Sequence, residues 1–151
     1  MSPFPKLFCG AALLMALAVG CSSEPKRVYG KGKLVVGTQP LGTLLKVRFP
    51  KQRWGVNVTF VPMDKGDKPN PKEYPCDFKP EDSTFEAGYQ GKGLPVGKYR
   101  IAVALDVPGG ITNAPPDMRA FFEKFTTEHS PIIRELKDEE PMIIDLNKPE
   151  G

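Results

Sequence analysis

Apolar and polar positions alternate in several short stretches that are separated by Pro- and Gly-rich turns, a pattern that predicts strands. The sharpest case is Leu94-Pro95-Val96-Gly97-Lys98-Tyr99, a turn signal leading directly into the alternating Ile101, Val103 and Leu105. Tyr99 then stands at a strand entrance, where a phenol can bury its ring and hydrogen-bond neighbouring backbone, as at the corner of a β-sandwich. Leu94, Gly97 and Tyr99 are therefore read as residues that fix architecture. Val56, Val58 and Phe60 alternate up to Pro62, and Phe85, Ala87 and Tyr89 share one face of another stretch. Leu45, Val47 and Phe49 alternate against Leu44, Lys46 and Arg48, which reads as a strand. Arg27 to Lys31 and Lys33 to Val36 read as short strands interrupted by Gly30 and Gly32. Ile132 to Leu136 and Met142 to Leu146, on either side of the acidic Asp138-Glu139-Glu140, read as a terminal hairpin.

One segment has helical spacing. Met118, Phe121, Phe122 and Phe125 recur at offsets of three, four and seven behind Pro115-Pro116-Asp117, a start signal, so one short helix is expected to cover the core. Met63 to Asp82, with Pro69, Pro71, Pro75 and Pro80 among charged residues, reads as a long exposed loop, a place where binding residues collect. Gly88 to Gly93 reads as a hairpin turn: a phosphate loop needs Gly-Lys-Ser or Gly-Lys-Thr opening a helix, and neither follows.

The N-terminus changes the picture. Lys6 precedes an apolar run from Leu7 to Val19, too short to span a bilayer and of the length of a signal-peptide core. Ala18-Val19-Gly20-Cys21 resembles the bacterial lipobox, in which the cysteine is acylated and becomes the first mature residue. This divides the chain into a lipoprotein signal peptide with its signal helix (1–20), a lipidated tether (21–26), a β-sandwich domain (27–147) and a flexible C-terminus (148–151). Of the three cysteines only Cys76 then remains in the domain, so no intrachain disulfide forms. Loss of Lys6 alone leaves 20 basic against 18 acidic residues. With its lysines scattered and not striped among aromatics, the chain is not expected to bind nucleic acid.

Catalytic and metal-binding chemistry is thinly represented. The single histidine, His129, lies between Glu128 and Ser130, and neighbours in sequence rarely point at one another as a catalytic trio must. A metal site would have to be made of carboxylates and Cys76, without a recognisable spacing. No catalytic residue, metal or cofactor is therefore assigned. Two alternatives are carried forward: a carbohydrate-binding module using Trp54, Tyr74 and Tyr89 as an aromatic platform, and a small hydrolase using carboxylates of the Met63 to Asp82 loop.

Gly32-Lys33-Leu34-Val35-Val36-Gly37-Thr38-Gln39-Pro40-Leu41, Val56-Asn57-Val58-Thr59-Phe60-Val61-Pro62, Phe85-Glu86-Ala87 and Gly93 to Tyr99 together resemble the small bacterial lipoproteins that carry a carboxypeptidase-regulatory-like, transthyretin-like domain. The likeness covers most of the mature chain. In that family the first Pro-Leu is soon followed by the Val-x-Phe-x-Pro strand, whereas here Gly42 to Gly55 intervenes. The resemblance implies a mainly β fold, a Greek-key sandwich of transthyretin-like or immunoglobulin-like kind. It also implies a non-catalytic binding or structural role in the cell envelope. The expected partners are the membrane, through the lipid, and an unknown envelope protein or polysaccharide. Ser22 after Cys21 fits anchoring in the outer membrane, facing the periplasm or the exterior.

Overall fold

The computed structural model describes residues 24–63, 72–88 and 92–150. Among them the chain forms, in order, β1 (Arg27–Val28), β2 (Gly30–Val36), β3 (Gln39–Pro40), α1 (Leu41–Arg48), β4 (Gly55–Pro62), β5 (Tyr74–Lys79), β6 (Thr84–Ala87), β7 (Leu94–Pro95), β8 (Gly97–Asp106), α2 (Pro116–Phe122), β9 (Ile133–Leu136) and β10 (Met142–Asp145). The protein is mainly β. The signal segment, Cys21 and Tyr89 lie outside the described residues.

The strands follow one path, β10-β2-β6-β5-β4-β8-β9, with β3 folded back on β2 and a separate β1-β7 ribbon beside them. Every pairing is antiparallel except β10 with β2. The sheet curls because β5 is shared: Tyr74 to Cys76 pair with β4, while Asp77 to Lys79 pair with β6. A strand that passes from one pairing to the next in this way turns a corner in the sheet. The longest ladder joins β4 to β8 in unbroken register from Gly55↔Asp106 to Pro62↔Tyr99.

The alternation places the core where the sequence predicts it. Val56, Val58 and Phe60 of β4 and Tyr99, Ile101, Val103 and Leu105 of β8 are buried together with Leu34, Phe85, Ala87 and Ile144. Burying each such side chain contributes about 1.5–3 kcal/mol, which makes this shared face the main source of stability. β2 runs unbroken through Gly32, since the Phe85 ring occupies the place a side chain there would take. After Pro115, α2 continues through a 3-10 turn at Glu123–Phe125 and buries Met118, Phe122 and Phe125 over β8, with Phe121 half-buried against the last two rings.

Four expectations are corrected. Leu44 to Arg48 belongs to a helix, not a strand, so the described residues form two α-helices. Leu41, Leu45 and Phe49 are buried at spacings of four, whereas Val47, which alternation puts on the same side as Leu45 and Phe49, is 70% exposed. Leu, Lys and Arg favour a helix here, and Pro50 ends it by excluding helical geometry at Phe49. Met63 to Asp82 is not all loop, because it contains β5. β6 does not form a hairpin with the strands that follow Gly93, for β7 pairs with β1 and β8 with β4 and β9, while most of the turn between them lies outside the described residues. Nor is there a terminal hairpin: β9 lies against β8 and β10 against β2, at opposite ends of the strand path. Ser130 fixes the first of these placements. Its buried hydroxyl donates to the Ile101 carbonyl and accepts from the Ile132 amide, while Ile101 N–H donates to Ile132, tying the segment to β8 before β9 begins.

Candidate functional site

The strand directions give the domain two ends. β8 starts at Gly97 and finishes at Asp106, about 30 Å away at the rise of a strand. Lys26 meets the domain at the first end, where its carbonyl accepts from Val96 N–H (3.0 Å) and its ammonium donates to the Lys137 carbonyl (3.3 Å). Tyr99 is at this end too. Its ring is buried against Phe60 and Tyr74 (centroids 5.8 and 6.3 Å apart), and its hydroxyl donates to the Pro95 carbonyl at 2.7 Å. Burial, reinforced by Tyr74 and opposed by Arg27, pushes the Tyr99 phenol up to about 12. Leu94 is fully buried beside it.

Trp54, the single tryptophan, stands at the other end, just before β4. It is half-buried against the core, and its indole N–H has no hydrogen-bond partner among the described residues. Two clefts flank it, and Trp54 lines both. The first, about 620 Å³, is bounded by Arg53, Gly55, Asp106 and the turn Val107 to Gly110. The second, about 450 Å³, is bounded by Thr43 and Lys46 of α1 and by Pro80 and Glu81. Both volumes fall in the range of ligand sites.

Local chemistry fixes the walls. In the first cleft Gly110 N–H donates to the Val107 carbonyl (2.9 Å) around Pro108-Gly109, and Gly109 takes a φ of 81° that glycine alone accepts cheaply. Asn113 Nδ2 closes the turn by donating to the Pro108 carbonyl (3.0 Å). In the second cleft, α1 docks backbone to backbone on the β5–β6 turn. Gly42 N–H donates to Ser83 Oγ (2.8 Å), and a Cβ on Gly42 would lie 1.9 Å from the Pro80 carbonyl oxygen. Ser83 is buried at a φ of 61°, and its carbonyl accepts from Leu34 N–H (2.9 Å). Asp82 steadies the same turn by accepting from the Thr84 hydroxyl and amide, which holds its carboxyl below the usual range.

Each cleft carries one cation and one carboxylate, Arg53 with Asp106 and Lys46 with Glu81. All four side chains are exposed, and none makes a hydrogen bond or ion pair to another described residue. The clefts can thus offer donors and acceptors on both sides of an aromatic ring.

A smaller depression of about 280 Å³ lies on the outer face of β2, β6 and β5 beside Met142 and Ile143. Register puts Lys31 opposite Glu86 and Glu86 opposite Asp77. This is where two carboxylates come side by side, but both stand in solvent, and a carboxylate pair divides into acid and base only where the surroundings differ.

Other singled-out residues are scattered. Tyr74 is buried at the Tyr99 end, its ring covered by the Lys72 ammonium (5.2 Å), so Trp54 and Tyr74 sit at opposite ends of β4 and are not brought together. His129 is an exposed loop residue whose neighbour Ser130 has its hydroxyl committed to Ile101. Cys76 is half-buried, with its thiol directed at the Tyr74 carbonyl and pushed up by burial and by Asp77. Among the described residues no group of three or more His, Cys, Asp or Glu could hold a metal ion, and no helix is long and apolar enough to cross a membrane. The alternation reading missed Thr43 and Lys46 because it made α1 a strand, while Glu81 lies in the Met63 to Asp82 segment whose carboxylates were singled out. The signal was present in the fourfold spacing of Leu41, Leu45 and Phe49 between Pro40 and Pro50.

Comparison with family models, with curated proteins and with solved structures returns no match.

Proposed function

We propose that this is an exported, lipid-anchored protein of the bacterial envelope. Its β domain, a Greek-key sandwich of the transthyretin-like kind, serves as a binding module and not as an enzyme. Cys21 carries the lipid, and the outer membrane receives it. The observation that carries the reading is positional. The chain enters the domain at Lys26, a few residues after Cys21, at one end of β8, and the clefts around Trp54 open at the other end. A lipid at Cys21 would hold the first end at the membrane and leave Trp54 about 30 Å farther out, the strand length between them. That is a useful arrangement for a module that captures an envelope component.

Cell fractionation with labelled palmitate tests it. The intact protein is expected to incorporate label and pellet with membranes, and Cys21→Ala to lose the label and appear in the soluble fraction. Full membrane association of Cys21→Ala would defeat the anchor.

A further inference from the structure

We propose that the Trp54 end binds a neutral, extended polysaccharide, with the chain passing over the indole from one cleft to the other. The inference rests on the reading of the domain as a binding module and names the class of its ligand.

Sugar rings present two kinds of surface, C–H faces that pack on aromatic rings and hydroxyls that both donate and accept hydrogen bonds. Trp54 supplies the first counterpart, and its indole N–H is a donor that the described protein leaves unused. Arg53 and Asp106 on one side, and Lys46 and Glu81 on the other, supply the second. A cation donates to sugar hydroxyls and a carboxylate accepts from them, so one of each beside the ring suits a hydroxyl-rich ligand.

The same balance decides against an anionic polymer. Recognition of phosphate, sulfate or uronate groups gains from an excess of cations, and each cleft instead pairs its cation with an anion. The two clefts also share one ring. A single sugar would use one of them, whereas a chain of several residues uses both. The backbone around them is fixed by the Gly42–Ser83 bond and the Asn113–Pro108 bond, so the site is built before ligand arrives.

Because Trp54 is the single tryptophan, its emission reports on this site alone. The experiment titrates full-length protein in detergent with cellohexaose, xylohexaose, chitohexaose and, as the anionic control, an alginate oligomer. Trp54 fluorescence and calorimetry are the readouts. At least one neutral oligosaccharide is expected to bind, shift the emission and protect the indole from acrylamide. Asp106→Ala and Glu81→Ala, both at exposed positions, are expected to keep the melting temperature and each to weaken binding about tenfold, the effect of one lost hydrogen bond to a charged group.

Three results would overturn the proposal: no neutral oligosaccharide bound, binding that leaves Trp54 emission and both variants unaffected, or binding of alginate alone. Palmitate on Cys21 is measured in the same preparation. Palmitate without oligosaccharide binding overturns the ligand and leaves the anchor standing, while oligosaccharide binding without palmitate supports the ligand and defeats the anchor.

Discussion

Tyr99 and Trp54 occupy opposite ends of the domain and do different physical work. Tyr99 is 2% exposed, has two aromatic neighbours in edge contact at 63° and 67°, and commits its hydroxyl to the Pro95 carbonyl. Trp54 is half-buried, keeps an unused N–H and is bordered by two clefts with exposed, unpaired charges. An aromatic whose polar atom is satisfied within the fold is a structural element. One whose ring is supported from beneath and whose polar atom is unclaimed has something left to offer a ligand.

The sharpest way to break this comparison is truncation. Tyr99→Ala removes a fully packed ring from the junction of β4, β5 and β8 and is expected to lower stability by about 4 kcal/mol. Chemical denaturation measures it, and an unchanged midpoint would show that the corner does not bear on the core.

Gly42→Ala should come next, at about 3 kcal/mol, because the added methyl meets a backbone carbonyl that cannot move without shifting the β5–β6 turn. Thr43→Ala, one residue on and exposed, is the control and should change stability by less than about 0.5 kcal/mol. If the two behave alike, α1 is not docked on Pro80 and the second cleft loses its wall.

The unequal legibility of the two ends follows from these contacts. The Tyr99 end was readable because its signal is local: a Leu-Pro-x-Gly turn, an alternating strand and a phenol that reaches the carbonyl four residues earlier. The strands β4, β6 and β8 were readable for the same reason. The Trp54 end depends on segments far apart in sequence, Gly42 on Ser83 and Gly55 on Asp106, and no pattern within either segment announces the other. Alternation misled at Leu44 to Phe49 because a short amphipathic stretch fits both periods. Leu41, which extends the fourfold spacing of Leu45 and Phe49 back to Pro40, decides for the helix. Between β9 and β10 a charged turn flanked by apolar runs looked like a hairpin. Both strands instead found deeper partners, Ile144 packing into the core beside β2 and Leu136 beside β8.

Trp54→Ala is expected to cost about 1.5 kcal/mol, well below Tyr99→Ala, since part of the indole already faces solvent. The ordering matters more than either value. If loss of Trp54 destabilises the protein as much as loss of Tyr99, the indole is a core residue and the clefts beside it are incidental.

The smallest change separates the hydroxyl of Tyr99 from its ring. Tyr99→Phe keeps the packing and removes the donor to Pro95, leaving a carbonyl to find water, at about 1 kcal/mol. It also carries a pH signature. In the folded protein burial holds the phenol neutral up to about 12, against an ordinary value of 10.0. Between those values the folded state therefore binds more protons than the unfolded chain, and stability falls as pH rises. The contribution is whole below about pH 10 and is lost on approaching pH 12. Cys76, also raised by burial, begins to act in the same direction near pH 9, so the comparison belongs in a Cys76→Ala background. There the melting temperature should decline between pH 10 and 12, and Tyr99→Phe should flatten that decline. Equal slopes in the two proteins would mean that the Tyr99 phenol is not held in its neutral form by the corner.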